Sequence, residues 1–360
     1  MVGAAISQTG AHAELALEYA RGLELWRDET NAAGGLLGRR VELRLLDDAS
    51  EAVRSRELYE RLIRDEKADL LVGPYGSAAT LIASAEAERA RRVMVNGSGP
   101  ASVVHGRAPR YLFQSAVPYA GYGDRVLRIA AEAGYRRLFI LARDDGPSRE
   151  MAEGTQAAAA AAAPKGLLAG DIAFYRPGTV DFAPQVAKAR AADAQAWIAF
   201  GDVREAAEMV KTFKRLDYAP RLFFARGVSH PRLIPLIGQD AEFALGSMDL
   251  DARSPAMRRF AEAYAAKWSA APALPAAQGY AAGTVLGAAV RSAGTLDQER
   301  LRAALAELEH PTVLGEYRVA PENGVQIGAR PLVVQIRNGR PQGGAPLLPY
   351  PQWDERAIIQ

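Results

Sequence analysis

The sequence contains no cysteine, and this absence removes several kinds of chemistry at once. Without thiols the chain can form no disulfide, no thiolate metal site and no cysteine nucleophile. Histidine is scarce as well: the four present, at positions 12, 105, 230 and 310, are too scattered to suggest a histidine metal centre. We therefore expect neither a metal nor a cofactor.

Common catalytic motifs are missing too. The chain has no GxxxxGK[ST] segment, no GxGxxG after its first predicted strand and no GxSxG elbow. Asp47 and Asp48 end a predicted strand and could be mistaken for a catalytic carboxylate pair, but we interpret them as caps of the next helix that line the rim of a cleft. The sequence predicts a protein that is not an enzyme.

Neither charge nor hydrophobicity is concentrated in one region. The 44 basic and 42 acidic residues are interleaved, which argues against nucleic acid or an acidic membrane surface as a partner. No segment reaches the roughly 20 apolar residues that span a bilayer, so we expect no membrane insertion. The chain opens directly into a predicted strand without an export signal, and whether a precursor carries one stays open.

What the sequence does contain is a regular alternation of strands and helices. This rhythm predicts an α/β fold with parallel sheets flanked by helices, and the length of 360 residues favours two lobes. The alternation restarts near residue 137, and a third block of helices begins near Gly246. We expect that third block to return to the first lobe, and a final hairpin around Asn338-Gly339 to return to the second.

Ligands of open parallel sheets bind beyond the carboxyl ends of the strands. That rule selects the loops at 7–12, 73–77, 96–100, 143–146, 201–202 and 226–227. Ser77 is expected at a helix start, where free N–H groups attract anions, although it could equally be an N-cap without a ligand. Ser98, in a Gly-Ser-Gly loop, leaves the same two alternatives. His12 could face the cleft or be a solvated turn residue.

Segments spread over nearly the whole chain resemble leucine/isoleucine/valine-type periplasmic binding proteins. They are Thr9-Gly10, 31–43, Asp47-Asp48, 72–74 with Ser77, 179–182 and 314–317. The resemblance implies the type I periplasmic binding protein fold, with two Rossmann-like lobes joined by three crossovers and closing on a ligand. We expect residues 1–118 and 247–328 in the N-terminal lobe, 119–246 and 329–345 in the C-terminal lobe, and 346–360 as a tail.

The resemblance also implies a function. The chain would be the periplasmic solute receptor of an ABC importer, acting as a monomer and delivering its ligand to a membrane permease. That ligand would be a small carboxylate-bearing molecule, either a hydrophobic or branched-chain amino acid or an aromatic or keto acid. The alternative is a ligand-sensing domain of a receptor or of an amide-type regulator.

By resemblance, Ser77 would bind the ligand carboxylate, and the loop holding Ser98 and Gly99 would supply further donors. Gly76 belongs to the same proposed carboxylate loop as Ser77. Tyr75, Tyr119 and Tyr280 could be apolar walls of the site or simple core residues.

One position departs from the family pattern. In these receptors an acidic residue after a second-lobe strand pairs with the ligand's ammonium, whereas Arg226 stands here. The family's second-lobe tyrosine is replaced by Gly146. An arginine attracts an anion or a carbonyl, which predicts a ligand without an ammonium or with a second acid or keto group. Two alternatives stay open: Asp202 or Asp145 could supply the negative charge, or Arg226 could be paired with one of them.

Overall fold

The computed structural model describes residues 1–163, 166–343 and 347–353, which divide into two compact units. Unit 1 comprises residues 1–118 and 250–329, and unit 2 comprises residues 119–249 together with the chain from 330 onward. The chain passes between the units after Pro118, Asp249 and Ala329. The second crossing comes later than the expected residue 246, because a strand at Leu245–Met248 belongs to the sheet of unit 2.

Unit 1 is an α/β layer structure, with strands and helices numbered here in chain order. Its elements are β1 (Val2–Ile6), α1 (Ala13–Ala32), β2 (Leu43–Asp47), α2 (Ser55–Arg64), β3 (Leu70–Val72), α3 (Ser77–Ala90), β4 (Met94–Asn96), β5 (Leu112–Gln114), α9 (Pro255–Trp268), α10 (Leu274–Ala293), α11 (Gln298–Glu307), β12 (His310–Thr312) and β13 (Gly315–Tyr317). The main sheet has the order β2-β1-β3-β4-β5 and is parallel throughout. Its inner strands are buried at every position, as expected when helices cover both faces.

The third helical block does return to unit 1. Helix α10 packs closely on α1, and a Cβ added at Gly283 would lie 2.3 Å from the ring of Trp26. The glycine is therefore required by a close approach of helix to side chain. This packing closes one face of the sheet with the buried α10 residues Val285, Leu286 and Ala289.

Unit 2 is a second α/β layer structure. Its elements are α4 (Asp124–Glu132), β6 (Arg137–Arg143), α5 (Gly146–Ala161), β7 (Leu168–Ala169), β8 (Ala173–Tyr175), α6 (Ala183–Ala191), β9 (Ala196–Phe200), α7 (Val203–Arg215), β10 (Leu222–Ala225), α8 (Leu233–Ile237), β11 (Leu245–Met248), β14 (Leu332–Arg337) and β15 (Arg340–Gln342). Strands β7 and β8 are separate short strands that both pair with β6.

The sheet of unit 2 is mixed, with the order β15-β14-β11-β10-β9-β6-β7. Strands β6 to β11 run parallel, while β14 and β15 form the predicted hairpin as an antiparallel edge. Asn338 and Gly339 both have positive φ, 52° and 69°, as a two-residue hairpin turn requires. The α/β class is thus confirmed, with an antiparallel edge added to the second sheet.

An aromatic cluster fills one face of this sheet. The ring of Trp197 lies 4.9 Å from Phe139 and 4.8 Å from Phe213. Residues 347–353, part of the predicted tail, pack onto the same unit: the buried Tyr350 lies 5.4 Å from the ring of Phe223. Position 346 and residues 354–360 of that predicted tail lie outside the described residues.

Within the described ranges, no helix is both long and apolar enough to cross a bilayer.

Candidate functional site

The loops that follow β3 and β4 are joined by hydrogen bonds at the carboxyl edge of the unit 1 sheet. The Ser98 hydroxyl accepts the Gly76 N–H at 2.9 Å and donates to the Pro74 carbonyl at 3.5 Å. Because β3 and β4 are parallel neighbours, their carboxyl ends meet where ligands of such sheets bind. The structure therefore brings together the two loops that the sequence singled out, with Ser98 acting as their link.

Asn96 shapes the second of these loops. Its Oδ1 accepts the N–H of Gly99 at 2.7 Å and that of Ser98 at 3.2 Å, and its Nδ2 donates to the Gly99 carbonyl at 2.8 Å. The Gly99 amide, predicted as a ligand donor, is thus already engaged. Sequence reasoning assigned Asn96 no role of its own, although an asparagine at a strand end before glycines is a turn signal.

The start of helix α3 differs from a simple serine cap. Gly76 occupies the N-cap position at φ 92° and ψ 150°, and no side chain caps the helix. Ser77 is the first helical residue, and its hydroxyl accepts the Ala101 N–H at 3.2 Å. The interpretation of Ser77 as the N-cap is therefore wrong, and its contact with a ligand stays a prediction.

Several donors remain at this helix end. A hydroxyl that accepts one hydrogen bond can still donate its own hydrogen, and among the described residues that of Ser77 has no acceptor. The amides of Ser77, Ala78 and Ala79 open the helix, so it offers them no internal partner. Together with the positive end of the helix dipole, this arrangement can hold an anion.

Two tyrosines support the same edge. The half-buried Tyr75 ring lies 6.2 Å from the Tyr19 ring in an edge-on arrangement. Tyr19 donates from its hydroxyl to the Gly73 carbonyl at 3.3 Å, and burial raises its pKa, which keeps it protonated as a donor. Tyr75 thus packs on the core of unit 1, and its role as an apolar wall of the site stays a prediction.

Asp47 and Asp48 hold the loop after β1 rather than capping a helix. Asp47 Oδ1 accepts the N–H groups of Gln8 and Ala49, both at 2.8 Å, while Asp48 accepts the Ser7 hydroxyl at 2.6 Å. Burial raises the pKa of Asp47, but these hydrogen bonds outweigh it and hold the pKa below its ordinary value. The helix-cap interpretation is wrong, since no side chain caps α2 or the short helix before it.

At the carboxyl edge of the unit 2 sheet, Arg143 forms ion pairs with several acidic side chains. It pairs with Asp145 through Nε and with Asp202 through Nη1 at 2.8 Å, and Glu205 lies 3.7 Å away. The other Asp202 oxygen accepts the Arg204 N–H at 2.9 Å as the N-cap of α7. The alternative in which Arg226 pairs with one of these aspartates is therefore wrong. Asp202 caps α7, and its contact with a ligand stays a prediction.

Arg226 follows β10 at this edge and has a different environment. Its guanidinium carbon lies 5.7 Å from the centre of the Tyr122 ring, and the Tyr119 ring lies 6.1 Å from the Tyr122 ring. The Tyr122 hydroxyl donates to Asp249, which follows β11, at 2.5 Å. Among the described residues, no carboxylate comes within 4.0 Å of the Arg226 guanidinium.

Comparison with known proteins decides the family. The sequence profile described as periplasmic binding protein matches residues 1–340. The chain belongs to the periplasmic binding protein family. Among curated relatives, a Leu/Ile/Val-binding protein homologue of Brucella abortus is 37% identical over 107 residues, which cover 30% of this chain. That match spans about a quarter of the relative, 26% of its length, so it covers only a part of that protein.

Solved structures show that the fold of this periplasmic binding protein is shared over nearly the whole chain. A branched-chain amino acid transporter substrate-binding protein of Streptococcus pneumoniae, in complex with isoleucine, has 20% identity and a TM-score of 0.67 over 95% of this chain and 97% of that one. An ABC transporter solute-binding protein of R. palustris, in complex with benzoate, has 19% identity and a TM-score of 0.68 over 98% and 97%. At these identities the likeness establishes the fold.

The two remaining predicted site residues of this periplasmic binding protein lie in unit 1. Tyr280 is on α10, where its hydroxyl donates to Glu29 at 2.5 Å and its ring packs 4.8 Å from Phe260. These contacts agree with the core alternative, and its contact with a ligand stays a prediction. His12 is exposed in the loop after β1 and its N–H donates to Ser50 Oγ at 3.0 Å; its contact with a ligand stays a prediction.

Within the described parts of the chain, no group of three or more histidine, aspartate or glutamate side chains could hold a metal ion.

Proposed function

We propose that this chain is the extracytoplasmic substrate-binding component of an ABC importer, and that it captures the carboxylate of its ligand at the start of α3. The observation that carries this proposal is the uncapped helix end, where the Ser77 hydroxyl and the first-turn amides are available to donate hydrogen bonds to an anion. The family membership supplies the transport context.

The chemistry of this edge suits a carboxylate. A carboxylate offers two oxygens with several lone pairs, which can accept the Ser77 hydroxyl and the helix amides together. Hydrogen bonds to a charged group each contribute about 1.5–3 kcal/mol. The bond from Gly76 to Ser98 fixes the loop beforehand, so little ordering is required on binding.

The ligands bound in two structural neighbours support the same ligand class. One is in complex with isoleucine and the other with benzoate, and these ligands share a carboxylate but differ in the presence of an ammonium. We infer a hydrophobic or branched-chain amino acid, or an aromatic or keto acid, as the ligand. Closure of the two units on the ligand, a monomeric state and delivery to a membrane permease remain predictions.

A single substitution tests the site. The ligand is first chosen by a thermal-shift panel of leucine, isoleucine, benzoate, phenylpyruvate and 4-methyl-2-oxopentanoate, backed by mass spectrometry of ligand released from the purified protein. For the compound that raises the unfolding midpoint most, Ser77→Ala should weaken binding about tenfold to a hundredfold, as expected for one charge-assisted hydrogen bond. Isothermal titration calorimetry measures the dissociation constant.

The stability of the variant serves as the internal check. Ser77→Ala also releases the Ala101 N–H, which should cost about 1 kcal/mol of unfolding free energy at most. Ser292→Ala, on the exposed face of α10 in the same unit, is the matched control and should change neither property. Unchanged affinity in Ser77→Ala, or a panel in which no carboxylate binds, would contradict the proposal.

A further inference from the structure

The acidic residues beside the carboxyl edge of unit 2 are largely committed to other partners. Arg143 pairs with Asp145 and Asp202, and Arg149 pairs with Asp144 at 2.6 Å. Asp249 accepts the Tyr122 hydroxyl with one of its oxygens. A ligand arriving at this edge therefore meets few acidic groups that are not already hydrogen-bonded.

The guanidinium of Arg226 has no protein acceptor among the described residues. A guanidinium carries five N–H donors in a planar fork, and among the described residues none of those of Arg226 has an acceptor. The side chain is only partly exposed, and it lies beside the Tyr122 ring, with Tyr119 adjacent. A fork held beside aromatic rings is suited to bidentate recognition of planar oxygen acceptors.

The loop that carries Arg226 is fixed in place. A Cβ added to the next residue, Gly227, would lie 2.4 Å from the backbone of Asp202, so the loops after β9 and β10 touch directly. Arg226 begins the short 3-10 helix Arg226–Ser229, and the Ser229 hydroxyl donates to the Ser247 carbonyl at 2.5 Å. The backbone that carries Arg226 is thus held by neighbouring loops, which lowers the entropic cost of ordering this side chain when a ligand binds.

We propose that Arg226 is a specificity-determining ligand contact, and that the ligand is an organic acid carrying a second oxygen acceptor, a keto or carboxylate group, in place of an ammonium. This inference rests on the proposed function, because it narrows the class of the carboxylate ligand named there. An α-amino acid would bring its ammonium towards a like charge, whereas the corresponding 2-oxo acid would bring an acceptor.

Acidic groups near the two tyrosines define the competing outcome. Asp249, Glu150 and Asp145 all lie close enough to act electrostatically on Tyr119, as does Arg226. If Asp249 turned its remaining oxygen to a ligand ammonium, the chain would prefer amino acids. The choice between the two outcomes is a measurable ratio of affinities.

The experiment compares matched pairs that differ only at the α-position. Calorimetry is done with leucine against 4-methyl-2-oxopentanoate and with phenylalanine against phenylpyruvate, and glutarate probes a second carboxylate. The wild-type protein should bind the better 2-oxo acid or the diacid at least about tenfold more tightly than the amino acids. Arg226→Gln should reduce that affinity by about tenfold or more, the effect of losing a charge-assisted hydrogen bond. Arg226→Lys should restore only part of it, because the charge remains and the fork is lost.

Controls separate this inference from the proposed function. Arg232→Gln, an exposed arginine in the same unit, should leave every affinity unchanged, and the unfolding midpoint of Arg226→Gln should match the wild type. Amino acids binding as tightly as their 2-oxo partners, or an affinity ratio unaffected by both Arg226 variants, would overturn the role of Arg226 while leaving carboxylate capture intact. Binding of no compound would instead overturn carboxylate capture, and this inference with it. If Arg226→Gln does not fold, the wild-type ratio and Arg226→Lys still decide.

Discussion

Replacing Gly76 with alanine tests whether the backbone before α3 builds the anion site. Gly76 has φ 92° and ψ 150°, a region almost reserved for glycine, where another residue costs on the order of 1–3 kcal/mol. A Cβ added there would meet no atom within 4 Å, so the whole cost is conformational. If the backbone moves to relieve this strain, the Gly76–Ser98 hydrogen bond is lost, which costs about 0.5–1.5 kcal/mol. We therefore expect Gly76→Ala to lower the unfolding free energy by about 1–2 kcal/mol.

Ligand affinity should fall as well, because a strained or rearranged backbone at position 76 displaces the donors that follow it. Loss of one charge-assisted hydrogen bond from Ser77 or its neighbouring amides corresponds to about a tenfold to hundredfold weaker binding. Urea unfolding measures the first effect, and calorimetry with the best acid of the ligand panel measures the second.

Gly294→Ala is the matched control. Gly294 ends α10 in the left-handed region at φ 63° and ψ 17°, also with open space around an added Cβ. Alanine there should cost about 1–2 kcal/mol of stability and leave affinity unchanged. Equal affinity losses in the two variants, or none in Gly76→Ala, would refute the argument that this backbone conformation shapes the site.

Two further predictions concern stability. His105 is buried, its Nδ1 lies 2.8 Å from the Asn323 carbonyl, and burial lowers its pKa. The unfolded chain takes up the proton near pH 6.5 whereas the folded chain resists it, so stability should fall as the pH drops below that value. His105→Asn should therefore flatten the decline in unfolding midpoint between pH 8 and 5. Equal slopes would contradict this. Tyr350→Ala should lower the unfolding free energy, measured by urea unfolding, by about 3 kcal/mol, because its buried ring packs on Phe223. Leu348→Ala should cost far less, because Leu348 is 48% exposed. A small loss in Tyr350→Ala would show that this segment adds little to the stability of unit 2.

The sequence was sufficient to locate the loops at the carboxyl edge of the unit 1 sheet, because their signals are local. Alternating apolar strands and helices predict parallel sheets, and the carboxyl-end rule then selects the segments around Ser77 and Ser98 without any distance. The hairpin at Asn338-Gly339 is equally local, because its turn residues need positive φ.

The hydrogen-bond and packing partners of these residues were not predictable, because they depend on contacts between residues distant in sequence. Ser77 and Ser98 look alike in sequence, yet Ser98 accepts the Gly76 N–H, whereas the Ser77 hydroxyl accepts the Ala101 N–H. Which of the two contacts a ligand stays a prediction. Tyr280 shows the same limit: its place on α10 could be read, but its partners Glu29 and Phe260 come from helices α1 and α9.

The two arginines at the edge of unit 2 differ because of strand order. Arg143 ends β6, which neighbours β9, so it reaches both the nearby Asp145 and the aspartate that follows β9. Arg226 follows β10, whose neighbours are β9 and β11; the acid after β9 is already paired, and Asp249 after β11 accepts a tyrosine hydroxyl. Arg226 is thus left, among the described residues, with donors and no acceptor. An anionic oxygen of the ligand would satisfy them, and an ammonium would not.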